Sequence, residues 1–305
     1  MHDIISIGAS TVDVFVKSDQ FIQTDDLLAL TYSSKNEISK SLLCSGGGAS
    51  NSSVAFSRLG LKSACLSLLG NDPLSQYVIT DLTKEKVDTS LLVRPKSELT
   101  DFSVILVAAD GGRSILTNRG LHRLEEKHIS WSKLKNTKWF YITSLEGNID
   151  LLEKLVGFTQ DHNIKIALNP GNRELAQKRR LIPLLKYIDF FLLNQTESEN
   201  LLGLPHTHPD FWTKISLLKP TITAVTNGRQ GAHVFTDNQH FYSPIINTKP
   251  IDETGAGDSF GSAFVAALFL KHDPQKALSW GIKNSASVVS ALGAKTALLT
   301  QKQIK

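Results

Sequence analysis

Several hallmarks of specialised protein classes are missing from this chain. Cysteine is scarce, with Cys44 and Cys65 the two copies in 305 residues. Two thiols cannot build the disulfide framework of a secreted scaffold, and they suit a reducing compartment. An excess of one charge sign is missing as well. Lys and Arg number 33 against 29 Asp and Glu, a net of +4. That balance tolerates anionic substrates but is far too small to indicate a nucleic-acid partner. The basic run Gln177–Arg180 reads as a solvated helix face. No apolar stretch reaches the ~18 residues that a bilayer crossing requires. The opening MHDIISIGAS carries an early acid, Asp3, and lacks the basic start and long apolar core of a signal peptide. A cytoplasmic protein with no membrane partner is expected. Long linkers, low-complexity tracts and internal repeats are also absent. A single domain over residues 1–305 is expected.

What is present is alternation. At 41% hydrophobic, the chain has an ordinary globular content and enough length to bury most of it. DIISIGAS, SACLSLLG, WFYITSL, KIALNP, DFFLLNQ and TITAVTNG read as short buried strands. Helical patterns lie between them, among them ASNSSVAFSRLG with Gly60 as its stop, DPLSQYVITDLTKEKV and DLLEKLVGFTQDHN. This rhythm predicts a mostly parallel sheet with helices on both faces and ligands beyond the carboxyl ends of the strands. Two segments break it. Ser10–Phe21 alternates apolar and polar residues like a half-exposed strand. Thr100–Gly120 reads as a hairpin turning at Asp110-Gly111-Gly112. Together they predict a small β-sheet lid from segments at about 10–40 and 99–120.

Four polar motifs fall near predicted strand ends. In DETGAGDSFGSAF, Gly255-Ala256-Gly257 begins a helix whose free N–H groups and dipole favour an anion. The competing reading is a glycine-rich turn with Asp258 stabilising the helix dipole. No Gly-Lys-Ser/Thr follows, so this is not a Walker loop. In SGGGASNSS, three glycines beside Asn51 suit a hydroxylated ligand lying against the backbone; a flexible strand–helix turn is the alternative. Thr226-Asn227-Gly228-Arg229-Gln230-Gly231 joins two β-like runs, and a hairpin turn explains Asn227-Gly228 equally well. In LLNQTESE, Asn194 and Glu197 either cap a helix or orient a hydrated Mg²⁺.

The order and spacing of these motifs are more specific than any one of them. The chain resembles the ribokinase-like (PfkB-type) carbohydrate kinase family over nearly its whole length. The match runs from IISIGASTVDV through LLGNDPLSQYVITDLTKEKVDTS and LNPGNRE to GAGDSFGSAF. The resemblance implies a three-layer α/β sandwich with a mostly parallel central sheet and a β lid. It implies an ATP-dependent kinase assisted by Mg²⁺. Asp258 would be the catalytic base, with Gly255, Ala256 and Gly257 forming an anion hole for the moving phosphoryl group. Such a reaction rests mainly on positioning and electrostatics. Asp13, at the end of the first strand, would grip a vicinal diol, with Gly46, Gly47, Asn51 and Glu146 as further sugar contacts. Asn194 and Glu197 would serve Mg²⁺ and phosphate, and Thr226, Gly228 and Gly231 the nucleotide. Many members also use a monovalent cation, K⁺. Asp252 and Thr254 match two of its ligands, although Glu253 stands where threonine is usual. Two lids packed together would make a homodimer.

The expected acceptor is the hydroxymethyl group of a free sugar, with a ribose-like one favoured by Glu146. A nucleoside is the alternative and would need an aromatic for its base, from Phe15, Phe102 or Phe140. A sugar phosphate would need cations such as Arg113, Arg119 or Arg123. A catalytically silent binding protein is disfavoured by the intact GAGD element.

Overall fold

Eight strands form the central sheet of the computed structural model, which describes residues 1–24, 27–96, 98–108, 112–120 and 123–305. They are β1 (His2–Ile7), β6 (Ser63–Leu66), β9 (Thr137–Ile142), β10 (Lys165–Leu168), β11 (Phe190–Asn194), β12 (Ile222–Thr226), β13 (Ala232–Thr236) and β14 (His240–Ser243). Their spatial order is β14-β13-β12-β11-β10-β9-β1-β6. The six from β12 to β6 run parallel, and β13 and β14 extend the edge antiparallel. The helices are α1 (Gly48–Arg58), α2 (Pro73–Lys84), α3 (Trp131–Leu134), α4 (Ile149–His162), α5 (Asn172–Leu175), α6 (Lys178–Leu184), α7 (Gln195–Leu202), α8 (Phe211–Ser216), α9 (Ala256–Phe269), α10 (Pro274–Val289) and α11 (Gln301–Ile304).

Alternate residues of each buried strand feed two different cores. Ile4, Trp139, Tyr141, Phe190 and Leu192 pack with Phe56 of α1 and with Phe260 and Phe264 of α9. Their sequence neighbours Ile5, Phe140, Phe191 and Leu193 pack instead with Leu152 and Leu155 of α4 and Leu181 of α6. The continuous apolar runs in the sequence follow from this, because a parallel sheet is covered on both faces. Each fully buried side chain of this size contributes roughly 1.5–3 kcal/mol, so the sheet is a rigid base for the loops at its carboxyl edge. Phe140 and Phe15 are both buried, so neither is open to stack on a base. In the expected solvated basic run, Arg180 lies on α6 and pairs with Asp150 and Glu153.

A second sheet, in the order β5-β2-β7-β8, stands apart from the first. It is built from β2 (Thr11–Lys17), β5 (Lys40–Gly46), β7 (Phe102–Val107) and β8 (Arg113–Asn118). A short pair, β3 (Ile22–Gln23) and β4 (Leu28–Ala29), lies between β2 and β5 in the chain. Strand β2 is parallel to β7, and the other two pairings are antiparallel. β5 continues past the expected lid segment to residue 46 and leads into α1. β7 and β8 form the expected hairpin; Asp110 and Gly111 of its predicted turn lie outside the described residues. Every residue of β8 is exposed.

Asp13 belongs to this second sheet rather than to the end of the first strand. β1 stops at Ile7, and Gly8 turns the chain away with φ +147°. A Cβ at Gly8 would collide with Thr143. The acid therefore enters the site from the lid side, paired across β2 with Cys44 and Ser103.

Candidate active site

One side of the candidate site is built on the first turn of α9. Gly255 caps the helix at φ +77°, a conformation that glycine adopts without strain. A Cβ there would press on Ala294, so this turn and the loop after α10 are packed together. Ser259 N–H donates to Gly255 C=O, and Ala256 N–H makes a long 3.3 Å bond to Glu253 C=O. Gly257 is exposed, with open space where a side chain would stand.

Asp258 is the third residue of α9 and remains half-buried. Asn51 Nδ2 donates to its Oδ2 at 2.9 Å, joining residues 207 positions apart. Burial raises the Asp258 carboxyl above its ordinary pKa of 3.8, and the Asn51 bond opposes that rise. Asn51 Oδ1 is buried with no hydrogen-bond partner among the described residues. Such an atom costs free energy unless a ligand satisfies it. Asn51 is placed by the start of α1, capped by Gly47 at φ +87°.

Asp13 packs on Gly46, at the turn that leads into α1 and Asn51. The residue is 7% exposed; its carboxyl accepts from Thr11 Oγ1 at 3.3 Å and is raised in pKa chiefly by burial. Gly46 is packed so tightly on it that any side chain there would strike the carboxylate. Glu146 borders a neighbouring cleft lined also by Ser10, Ser67, Asp101, Arg123 and Ser144. Its backbone is left-handed, with φ +58°. Glu174 holds that loop: its Oε1 accepts from Leu145 N and Gly147 N at 2.9 and 2.6 Å, and its Oε2 from Gly171 N at 2.9 Å. Arg119 of the lid segment pairs with Glu146 at 2.6 Å.

At their carboxyl ends, β11 and β12 bring Asn194 level with Thr226. Asn194 and Glu197 form a reciprocal capping box, with both N–H to side-chain oxygen distances at 2.8 Å. The capping reading is thus present in the geometry, and it leaves one Glu197 carboxylate oxygen beyond that bond. Burial raises the Glu197 pKa, and the negative charge of Asp258 raises it further. Gly228 (φ +49°) and Gly231 (φ +92°) shape the loop after β12, closed by Asn227 N–H to Gly231 C=O at 2.8 Å. Asp252 accepts from Thr254 N and Oγ1 on Oδ1, at 3.0 and 2.6 Å, and from Gly293 N on Oδ2, at 2.9 Å. Arg113 of β8 approaches Asp252 Oδ1 at 3.5 Å.

The sequence model for pfkB family carbohydrate kinases matches residues 1–301. The chain belongs to the PfkB family of carbohydrate kinases. It is 24% identical over 307 aligned residues to the ribokinase of Staphylococcus aureus (strain COL), covering 97% of this chain and 96% of that one. Its fold matches the nucleoside kinase of Methanocaldococcus jannaschii with a TM-score of 0.79 at 24% identity, over 99% of this chain and 96% of that one. An E. coli protein provisionally named ribokinase II, solved in complex with ATP and Mg²⁺, matches with a TM-score of 0.82 at 21% identity, over 100% and 98% of the two chains. As a member of the family, this PfkB kinase is a phosphotransferase. Among the described residues no helix is long and apolar enough to cross a membrane.

Two residues around the candidate site, Glu174 and Lys295, were not singled out from sequence, and a third, Arg119, was given a different partner. Arg119 had been weighed against a substrate phosphate, not against Glu146. Glu174 had no signal beyond an ordinary helix start. Lys295 had one: it is an isolated charge in the otherwise apolar and small-residue tail ALGAKTALL.

Proposed function

We propose that this PfkB kinase transfers the γ-phosphate of ATP to the hydroxymethyl group of a ribose-like sugar. One observation carries the reading. Asn51 ties the start of α1 to Asp258 and keeps a second, buried polar atom without a protein partner. A sugar hydroxyl satisfies that atom and stands next to the base. In the proposed step, the acceptor oxygen attacks the γ-phosphorus while Asp258 takes its proton. The O–P bond to ADP breaks, and the proton later leaves to solvent. N–H groups of Gly255, Ala256 and Gly257 stabilise the charge on the transferred group. Asp13, beside Gly46 and Gly47, accepts from two neighbouring hydroxyls and selects a diol; Glu146 borders the far end of the acceptor cleft.

Thr226, Gly228 and Gly231 are assigned to the nucleotide. The oxygen donors of Asn194 and Glu197 fit a hard cation, and they would hold Mg²⁺ through its waters. Bound there, Mg²⁺ would neutralise phosphate charge. The monovalent cation implied by the resemblance would compete at Asp252 with donors already in place. A carboxylate has about four lone-pair sites. At Asp252 they face two Thr254 donors, the Gly293 N–H and the Arg113 guanidinium.

A panel of sugars, nucleosides and sugar phosphates, assayed for ADP release, tests the reading. The highest kcat/KM is expected with a free pentose. A nucleoside as best substrate would assign the base to half-buried Phe102, and a sugar phosphate would assign the phosphate to Arg123. No turnover on any acceptor would leave a binding protein. A homodimer through the lid is proposed from exposed Leu43, Ile115 and Leu116, since such surface on a small sheet invites a partner. Light scattering of the purified protein tests it, and a monomer at micromolar concentration rejects it. The reaction is assigned to the cytoplasm, where both free thiols stay reduced.

A further inference from the structure

Lys295 lies in the loop after α10 and is 8% exposed. Its ammonium donates to Ser45 Oγ, to Ser50 Oγ at 2.9 Å and to Asp81 Oδ2 at 2.8 Å. Ser45 Oγ donates to the same Asp81 oxygen. The three ammonium protons are thereby satisfied. Burial alone would raise the Asp81 pKa, but Lys295 draws it below the ordinary value.

A buried ion pair is weak evidence for stability, because a well-packed apolar pair does as well. Its position here is more informative. Ser45 immediately precedes Gly46, which packs on the Asp13 carboxylate, and Ser50 immediately precedes Asn51, which bonds Asp258. The loop that carries Lys295 also sets Ala294 against Gly255 and aims the Gly293 N–H at Asp252. Arg58 anchors that loop through Lys295 C=O and Leu298 C=O, at 2.9 and 3.1 Å.

We propose that Lys295 is a positioning residue for the acceptor: its ammonium fixes the backbone that presents Gly46 and Asn51, and holds it in register with the anion-hole turn. The charge of Lys295 also reaches Asp13, where it opposes the effect of burial.

The proposal rests on the acceptor reading above, so the test needs one arm that is independent of any acceptor. In the double variant Lys295→Met with Asp81→Asn, both charges leave together and no buried ion is stranded. Its Tm is expected within a few degrees of wild type. KM for D-ribose is expected to rise about tenfold, roughly 1.4 kcal/mol, with KM for ATP within about twofold. Amide hydrogen exchange over residues 45–52 should quicken, while the sheet stays protected. Asp81→Asn alone keeps the ammonium on the serines and should leave KM for D-ribose within about twofold. If the double variant does not fold, Ser50→Ala removes one contact without touching the ion pair and should raise that KM about threefold. A folded double variant with unchanged exchange over 45–52 overturns the proposal, as does an unchanged KM for D-ribose. A wild type inactive on D-ribose, with faster exchange in the variant, counts against the acceptor reading and leaves Lys295 in its role.

Discussion

The two sides of the cleft are built differently. The α9 side, to which the proposed function gives the phosphate, is a helix start locked from below: Gly255 against Ala294, Asp252 under three protein donors, and Asp258 bonded to Asn51. The lid side is a thin sheet whose strand β5 is tied down through Ser45 to Lys295 and Asp81, but whose outer strand β8 is exposed and reaches the body through single ion pairs, Arg113–Asp252 and, just beyond it, Arg119–Glu146. Charge stabilisation in phosphoryl transfer requires donors that do not reorganise. Capture of an acceptor requires a side that opens. The contrast also says where mutations should hurt: the locked side sets kcat, and the lid side adjusts binding.

The sharpest test of that division is Asp258→Asn. An amide keeps an oxygen for Asn51 but cannot take a proton, so kcat should fall by about 10³-fold or more, with ATP affinity unchanged by calorimetry. Normal turnover would remove Asp258 as the base. Asp13→Ala should come next, raising acceptor KM about 100-fold through the loss of charge-assisted hydrogen bonds, with a far smaller change in kcat. An unaffected KM would break the claim that the lid brings the diol grip.

The pH profile is a milder test. The Asp258 pKa is raised above 3.8 by burial, and in the proposed role as base it works ionised. kcat should therefore fall as pH is lowered through that raised pKa, at a higher pH than for an ordinary aspartate. Stability runs the other way. A raised folded pKa contributes stability below the unfolded pKa, and this is lost as pH rises through the folded pKa. Asp258→Asn should accordingly raise Tm at pH 7 by a few degrees, a gain that shrinks near pH 4. A Tm that falls at pH 7 would show that the ionised acid is stabilising.

Smaller effects are expected from the lid. Arg119 is half-exposed, and an exposed ion pair contributes about 0–1 kcal/mol. Arg119→Ala should change acceptor KM by less than about fivefold and leave kcat alone; a collapse of kcat would make the lid part of the locked side. The smallest expected effect is that of replacing K⁺ by choline, which should leave the rate unchanged. A large stimulation by K⁺ would mean that Asp252 exchanges Arg113 for an ion.

Much of this was legible in the sequence, and the reasons differ by element. The strands of the central sheet announce themselves because burial on both faces requires continuous apolar runs. Gly255, Gly228 and Gly231 are legible because positive φ angles and close approaches demand glycine. The Asn194–Glu197 box is a three-residue local signal. Asp13 falls inside the lid segment expected from sequence, but its placement at the end of the first strand did not hold, since one glycine at position 8 decides where β1 ends.

The sequence by itself determined the order of strands and helices, the helix starts and the turns, because these depend on groups within about four residues of one another. Tertiary structure alone decided which distant groups meet. The contact of Asn51 with Asp258 spans 207 positions, and that of Lys295 with Ser50 spans 245. No local propensity encodes such a meeting. It arises because α1, α9 and the tail pack over one face of a rigid sheet, and the packing of apolar faces brings separated polar residues together.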